Sequence, residues 1–342
     1  MTSTLSEYSV ILLYTAMGIY AIAFIAFTLD LAWRGARATM STTVPSAVAR
    51  RTRSTEAEAE AEAVGGSRGG TATLTRQSSR ADDEVRRGGE TSKSLRVGMV
   101  LTVLGFGFHL AADILRGIAA GRVPWANMWE FSMTGTVVIV AIFLLVNLRY
   151  DLRFLGALII GLILVLLGIS TVRYYVAVVP LPPALQSYWL VIHVMVAITA
   201  TAFFAIGFGL SVVHLLQARR GQLSPASKGP PWRFLATFPS AEKLENLAYR
   251  ANIVAFILWT FTLMAGAIWA ERAWGRYWGW DTKEVWTFII WVIYAGYIHA
   301  RATRGWRGSR SSWLALIGFS AVMFNFGIVN VFFKGLHSYS GL

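Results

Sequence analysis

The stretch WGRYWGWDTKEVW, residues 274–286, is the most informative part of this amino-acid sequence. It holds four tryptophans and one tyrosine within a single short segment. Apolar runs long enough to cross a bilayer flank it, at about 251–270 and 285–303. A few scattered tryptophans would indicate only interfacial anchoring, because indole rings favour the headgroup layer. The density found here instead indicates an aromatic platform at a membrane surface.

Charged side chains accompany these aromatic rings. Arg272, Arg276 and Lys283 lie in or beside the stretch, together with Asp281 and Glu284. Aromatic faces stack on flat ring systems, and Arg or Lys side chains pair with carboxylates. A porphyrin with two propionates is a ligand that fits this combination.

The composition of the whole chain indicates an integral membrane protein. Its 342 residues are 55% hydrophobic and only 14% charged, whereas soluble domains carry about 25% charged residues. The chain has no cysteine. Disulfides, thiolate metal sites and cysteine nucleophiles within the chain are therefore excluded, and any thiol chemistry must use the thiols of a partner.

The hydropathy pattern predicts an all-α polytopic membrane protein with about eight transmembrane helices and an external tryptophan-rich loop. Residues 1–33 contain the first helix, which we interpret as a retained span rather than a signal peptide. Residues 34–96 are rich in Ser, Thr, Gly and Arg and predict a disordered linker. Residues 97–342 form the second predicted domain, and its seven apolar runs are 97–118, 130–148, 154–172, 188–217, 251–270, 285–303 and 311–333.

The distribution of Lys and Arg predicts the orientation. The linker and the turns on its side of the membrane carry 24 of the 31 basic residues. Because basic residues are enriched in cytoplasmic loops, we expect the linker to be cytoplasmic and both termini and the tryptophan loop to be external. The net charge of +13 is thus an orientation signal that also favours contact with anionic lipid, and it does not indicate nucleic-acid binding.

The tryptophan stretch resembles the "WWD" signature of cytochrome c assembly proteins of the CcsA/ResC type, which are related to CcmC and CcmF. The resemblance covers roughly residues 97–340 and leaves out the first span and the linker. The external loop WANMWE, residues 125–130, is similar to an Asn-Met-aromatic-Glu loop of that family. The residues that match the signature are Trp274, Gly275, Trp278, Trp280, Asp281, Glu284 and Trp286.

Two histidines flank the tryptophan stretch near the predicted outer surface. His193 lies near the outer end of the span 188–217, and His337 follows the last span. Neutral imidazoles are good axial ligands of haem iron, and the external haem-ligating histidines of the family fall at these positions. The alternative is that His193 is a hydrogen-bonded helix-end residue and that His337 belongs to a frayed tail.

The resemblance also implies an intramembrane haem site formed by His109 and His299. Their alternative role is structural, as hydrogen-bonding groups between helices. His214, beside Arg219 and Arg220, has no counterpart in the family's set. We interpret it as a solvated or lipid-facing residue at a helix end.

The function implied by the resemblance is cytochrome c maturation of the system II type in a bacterial cell membrane. Haem b, the substrate, would pass from His109 and His299 to the external site at His193 and His337. There it would be attached to the Cys-x-x-Cys-His segment of an apocytochrome c, with a ResB-type membrane protein as partner. The chain would then be the CcsA-type subunit of a holocytochrome c synthase.

The tryptophans of the signature, Trp274, Trp278, Trp280 and Trp286, would hold the macrocycle, and Arg272, Arg276 or Lys283 would bind propionates. Asp281 and Glu284 could instead cap the next helix, where negative charge suits the helix dipole. No general acid or base is assigned. Two other functions stay open: haem export or delivery without ligation, and electron transfer by a membrane haem protein.

Overall fold

The computed structural model describes residues 2–43, 92–224, 227, 229, 232, 234–303 and 306–337. All regular secondary structure within these ranges is helical. The main helices, numbered in chain order, are α1 Thr2–Thr43, α2 Lys93–Ala120, α3 Met128–Asn147, α4 Gly156–Arg173, α5 Tyr188–Gln222, α6 Ala241–Trp274, α7 Thr282–Ala302 and α8 Ser309–Phe324. After α8 the helix widens into a π-helical segment, Asn325–Val329, and ends in one further turn, Asn330–Phe332.

Seven of these segments are long and apolar enough to cross a membrane, namely α1 to α6 and the last segment Ser309–Phe332. The remaining predicted span, 285–303, corresponds to α7, whose His299 and Arg301 lower its apolar character. With 21 residues, α7 is about as long as the hydrocarbon layer is thick, roughly 30 Å. The chain is therefore an all-helical polytopic membrane protein with seven or eight crossing helices, which confirms the predicted fold class.

The first helix is longer than the sequence predicts. It continues to Thr43, beyond the predicted boundary at residue 33. Arg34 pairs with Asp30 one turn earlier, at 2.7 Å, and the Ala, Arg and Met residues that follow favour helix. The rest of the predicted linker, residues 44–91, lies outside the described residues. The division into a first helix, a linker and a second domain stays a prediction.

Helix α1 packs closely against α2 and α4 through aromatic rings that lie on glycines. Phe27 covers Gly98 of α2 and Gly156 of α4, and a Cβ atom at Gly156 would lie 2.5 Å from the Phe27 ring. Tyr20 covers Gly105 in the same way, at 2.7 Å. Side chains at these glycines would separate the helices, so the first helix is an integral part of the bundle.

The second half of the bundle surrounds α5. Helix α6 packs along α5. Helices α3 and α8 contact α5 on its other sides, and α7 packs between α6 and α8. Aromatic stacking fills this core, as where Phe204 of α5 stacks on Tyr294 of α7 with ring centroids 3.8 Å apart. Towards the C-terminal end of α6, the same helices separate and leave a cavity.

Candidate functional site

The cavity lies between α3, α5, α6 and the last helix. About 1280 Å³ of space is enclosed by its walls, counting the part that is open to the surroundings. His193 and His337 both line it, as does Lys283 at the start of α7. Large apolar side chains form much of the remaining wall, including Trp125, Phe131, Leu190, Trp259, Trp269 and Phe326.

His193 is held in one tautomer by the neighbouring helix. Its Nδ1 lies 3.0 Å from the carbonyl oxygen of Thr262 in α6, and because a carbonyl can only accept, Nδ1 must carry the proton. A Cβ atom at Gly266 would lie 2.8 Å from the imidazole, so this glycine makes room for the ring. Nε2 makes no hydrogen bond to the described part of the chain and is the nitrogen available to a ligand.

His337 is oriented by a carboxylate in the same way. Its Nδ1 lies 2.8 Å from Oδ2 of Asp281, and the backbone N–H of Leu336 donates to Oδ1 of the same carboxylate at 3.0 Å. The hydrogen bond from His337 keeps the pKa of Asp281 below its usual value, so this group is ionised at neutral pH. Nε2 of His337 again has no hydrogen-bond partner within the described ranges.

Asp281 and Glu284 shape the loop before α7. Asp281 is the N-cap of α7, and its carboxylate accepts from the backbone N–H of Lys283. Oε2 of Glu284 accepts from the N–H groups of Gly279 at 2.8 Å and of Asp281 at 3.1 Å. Both residues therefore cap α7, as one of the two sequence interpretations expects, and Asp281 additionally holds His337.

Trp269 joins the two imidazoles and was missed by the sequence analysis. Its ring is stacked on His193 with centroids 5.8 Å apart and an interplanar angle of 14°. It also meets the His337 ring edge-on at 5.4 Å. The only signal in the sequence was its position at the end of the apolar run that precedes the tryptophan stretch, where it counted as part of a membrane span.

The four tryptophans of the signature do not form one surface. Trp274 lies beside the site, 4.9 Å from the His337 ring and 4.8 Å from the Trp269 ring. Trp278 and Trp280 contact each other and point outward, and Trp280 is 78% exposed. Trp286 packs against Phe324 of the last helix. Of these four tryptophans, Trp274 is the one whose ring contacts an imidazole, that of His337, among the described residues.

The three candidate basic residues also differ in their surroundings. Arg272 is exposed and pairs with its neighbour Glu271 at 3.4 Å. The Arg276 guanidinium lies over Gly279, in the space that a Cβ atom at that glycine would fill. Lys283 alone lines the cavity that holds the histidines.

His109 and His299 make separate contacts in the described part of the chain. His109 of α2 is completely buried, and its Nδ1 lies 3.5 Å from the hydroxyl of Tyr20 in α1. His299 is exposed on α7, whose main contacts are with α6 and α8. No hydrogen bond or ring contact joins the two histidines among the described residues, and their pairing stays a prediction.

The interpretation of His214 as a solvated or lipid-facing residue is wrong. His214 is buried, and its Nδ1 lies 2.7 Å from the hydroxyl of Ser312 in α8. Nearby, Glu245 of α6 pairs with Arg301 of α7 at 2.9 Å. The prediction failed because the adjacent basic residues of α5 suggested a helix end in water, whereas α6 and α8 cover this end of the helix.

The loop WANMWE supplies part of the cavity wall. Trp125, Asn127 and Met128 line the cavity. Glu130 of the same loop is fully buried and accepts hydrogen bonds from Arg116 at 2.9 Å and from Arg122 at 2.7 Å. This buried ion pair fixes the loop against α2.

Comparison with known proteins identifies a family. Residues 125–337, more than half of the chain, match the sequence profile described as cytochrome C assembly protein. A cytochrome c biogenesis protein CcsA of Guillardia theta is 36% identical over 242 residues, which cover 66% of this chain and 80% of that protein. A CcsA protein of Prochlorococcus marinus is 35% identical over 252 residues, covering 66% of this chain and 78% of that protein.

A solved structure shares the fold. The cytochrome c haem lyase CcmF superposes on 98% of this chain with a TM-score of 0.60 and 13% sequence identity. This chain spans 50% of the length of that protein, and at this level of identity the likeness concerns the fold alone. The family match begins at Trp125 in the cavity wall and ends at His337, so it covers the site described above, and the chain belongs to the cytochrome c assembly protein family.

Proposed function

We propose that this chain acts in cytochrome c maturation by binding haem in the cavity and presenting it for covalent attachment to apocytochrome c. One observation carries the proposal. Two imidazoles line the same cavity, each has Nδ1 occupied by an acceptor, and each keeps Nε2 without a hydrogen bond within the described residues. The family membership and the names of the relatives support the same process.

His193 and His337 are proposed as the axial ligands of the haem iron through Nε2. An acceptor behind Nδ1 fixes the ring and raises the basicity of the metal-binding nitrogen. The described residues contain no group of three or more His, Asp or Glu that could hold a metal ion. Two imidazoles therefore suit a metal that arrives with ligands of its own, as iron does in haem.

Trp269 and Trp274 support the macrocycle in this proposal. They are the indole rings that contact the imidazoles, and aromatic faces pack well on a porphyrin. Trp278 and Trp280, on the exposed side of the loop, lie where an approaching apocytochrome could meet them.

The attachment reaction forms two thioethers. In each, the substrate sulfur bonds to a vinyl carbon of haem, the vinyl double bond becomes a single bond, and the thiol proton ends on the neighbouring carbon. Because this chain has no cysteine, both thiols come from the Cys-x-x-Cys-His segment of the substrate. The substrate histidine then replaces one axial imidazole, and the contribution of this chain is to position the haem.

The remaining parts of the proposal concern location and partners. The concentration of Lys and Arg on one side supports an external tryptophan loop and external termini in a bacterial cell membrane. Haem b is the proposed substrate because its vinyl groups are free, and a ResB-type protein is the proposed membrane partner. An intramembrane site at His109 and His299 has no support from the contacts of these residues.

The absorption spectrum of the purified full-length protein tests the proposal. We expect haem bound by the wild-type protein to show a low-spin spectrum with two nitrogen ligands. His193→Ala and His337→Ala should each shift it to high spin and reduce covalent haem on a co-expressed apocytochrome c to background. Val191→Ala, an exposed position on the same turn of α5, is the control and should change neither readout.

Added imidazole provides a second readout, because it can replace a missing axial ligand. It should restore the low-spin spectrum of both histidine variants. A wild-type spectrum in either variant without imidazole would contradict the proposed ligation. Normal haem binding with no thioether formation on the apocytochrome would favour haem delivery or electron transfer instead.

A further inference from the structure

Lys283 is a cation at the edge of the cavity, and no carboxylate of the described residues touches its ammonium group. Its ammonium group donates a hydrogen bond to the side-chain oxygen of Asn330, which is neutral. No carboxylate lies within ion-pair distance of it among the described residues. The two carboxylates nearest to it in sequence are engaged elsewhere, since Glu284 accepts from the N–H groups of Gly279 and Asp281. Asp281 accepts hydrogen bonds from His337 and Leu336 and acts on Lys283 only from beyond ion-pair distance. An ammonium beside an apolar cavity is costly without a counter-charge in contact, so this position favours a ligand that brings an anion.

The last helix fixes the side chain of Asn330 so that its oxygen faces Lys283. The side-chain nitrogen of Asn330 donates to the carbonyl of Phe326 at 2.8 Å, which leaves its oxygen for Lys283. Asn330 follows directly on the π-helical segment Asn325–Val329, and such segments often occur at functional sites. Lys283 is thus held in place by a partner that does not neutralise it.

A second polar group of the cavity, the amide of Asn127, has a donor without an acceptor among the described residues. Asn127 is 6% exposed and lines the cavity. Its oxygen accepts from the N–H of Glu130 at 2.9 Å, while its Nδ2 group has no hydrogen-bond partner within the described residues. The cavity therefore contains an ammonium without a carboxylate in contact and, among the described residues, an unpaired amide donor, and both suit carboxylate oxygens.

We propose that Lys283 is the residue that binds a propionate carboxylate of haem, and that Asn127 offers a further donor to the propionates. This inference rests on the proposed function and deepens it by distinguishing among the basic residues of the tryptophan stretch. Arg272 is excluded from this role by its exposure and its pairing with Glu271. Arg276 is excluded because it lines no wall of the cavity and lies over Gly279.

Esterified haem tests the inference directly. Haem dimethyl ester has the same ring, iron and vinyl groups as haem but no carboxylate. In Soret titrations of the full-length protein, we expect wild-type affinity for the diester to be roughly 10- to 100-fold lower than for haem, as the loss of a charge-assisted hydrogen bond predicts. Equal affinities of the wild-type protein for haem and its diester would overturn the inference without any variant.

The variant Lys283→Met should lose this discrimination. It should bind haem nearly as weakly as the diester, with the small remaining difference due to Asn127, while its affinity for the diester stays at the wild-type level, which also shows that the cavity is intact. Lys334→Met, a change of an exposed lysine in the C-terminal segment, is the matched control and should discriminate as the wild type does. Retained discrimination in Lys283→Met, or its loss in Arg272→Met, would assign the carboxylate to another residue.

The two proposals fail in different ways. If the histidine variants leave the haem spectrum unchanged, the proposed axial ligation is wrong. If the histidine variants behave as expected but the diester binds as tightly as haem, the ligation stands and only the role of Lys283 is wrong.

Discussion

Asp281 joins two parts of the chain that are distant in sequence. It caps α7 and at the same time accepts hydrogen bonds from Leu336 and His337. The carboxylate of the tryptophan stretch thus orients the second histidine of the site. A carboxylate behind a metal-binding imidazole is a common arrangement that fixes the tautomer.

Gly335 allows this contact, because a Cβ atom there would overlap Oδ1 of Asp281. We therefore expect Gly335→Ala to displace the segment that carries His337 and to lower haem affinity roughly 10- to 100-fold. Gly327→Ala is the control, since a Cβ atom at that position meets nothing within 4 Å. Soret titration of both variants makes the comparison, and equal haem affinity would show that the segment does not depend on this close approach.

Some residues that line the cavity could be predicted from the sequence, and others could not. Histidines near the outer ends of apolar runs are visible in the sequence, and the structure places His193 and His337 in one cavity. The contacts of Trp269 could not be predicted, since a tryptophan inside an apolar run is typical of any span. The burial of His214 depends on helices that come later in the chain.

The loop before α7 is held in a tight turn by hydrogen bonds to its backbone. Glu284 holds it through the N–H groups of Gly279 and Asp281, and Trp280 adopts a positive φ of 60°. A tryptophan in this left-handed conformation is strained. Trp274, at the end of α6, contacts the His337 ring, whereas Trp278 and Trp280 within the turn point outward.

Removal of the Glu284 side chain should loosen this loop. In Glu284→Ala two backbone N–H groups lose their acceptor, and we expect about 1–3 kcal/mol of destabilisation. Glu271→Ala is the matched control, because Glu271 pairs with an exposed arginine, and such pairs contribute at most about 1 kcal/mol. Denaturant unfolding in detergent gives both values, and equal effects would show that the capping box does not hold the loop.

The aromatic density of the loop predicted a platform, but the direction of each ring could not be predicted. Ring direction depends on local backbone turns, and a positive φ at a tryptophan is an unusual conformation that no sequence pattern here indicates. The cap formed by Asp281 and Glu284 was more predictable, because an acidic pair with this spacing before an apolar run is a known helix start.

At the end of the bundle opposite the cavity, a polar network connects three helices. Glu245 forms an ion pair with Arg301 and accepts hydrogen bonds from the hydroxyl of Ser311 and from the N–H of Gly308. Arg301 also donates to Asn246 at 2.8 Å. These contacts connect α6, α7 and α8, and they fix the distant ends of helices whose other ends form the site.

Breaking this network should destabilise the protein strongly. Glu245→Ala leaves Arg301 buried without a counter-charge, and we expect a loss of about 3–5 kcal/mol. Asp151→Ala is the control, because the Asp151–Arg153 pair is exposed and should contribute at most about 1 kcal/mol. Denaturant unfolding distinguishes the two, and a loss near 1 kcal/mol for both variants would contradict the structural role of the network.

The helical architecture of the whole molecule could largely be predicted from the sequence, because long apolar runs must form helices in a bilayer. The packing of the helices was not, since it depends on contacts such as those of Phe27 with Gly98 and Gly156. Such glycines look like ordinary residues of a membrane span until the neighbouring aromatic side chain is known.

The outward direction of Trp280 has a practical consequence. A light-activated cross-linking amino acid placed there would sample whatever protein touches the loop, while Trp274 and both imidazoles on the inner side stay undisturbed. Contact with a partner and the proposed haem ligation can therefore be tested separately in the same molecule.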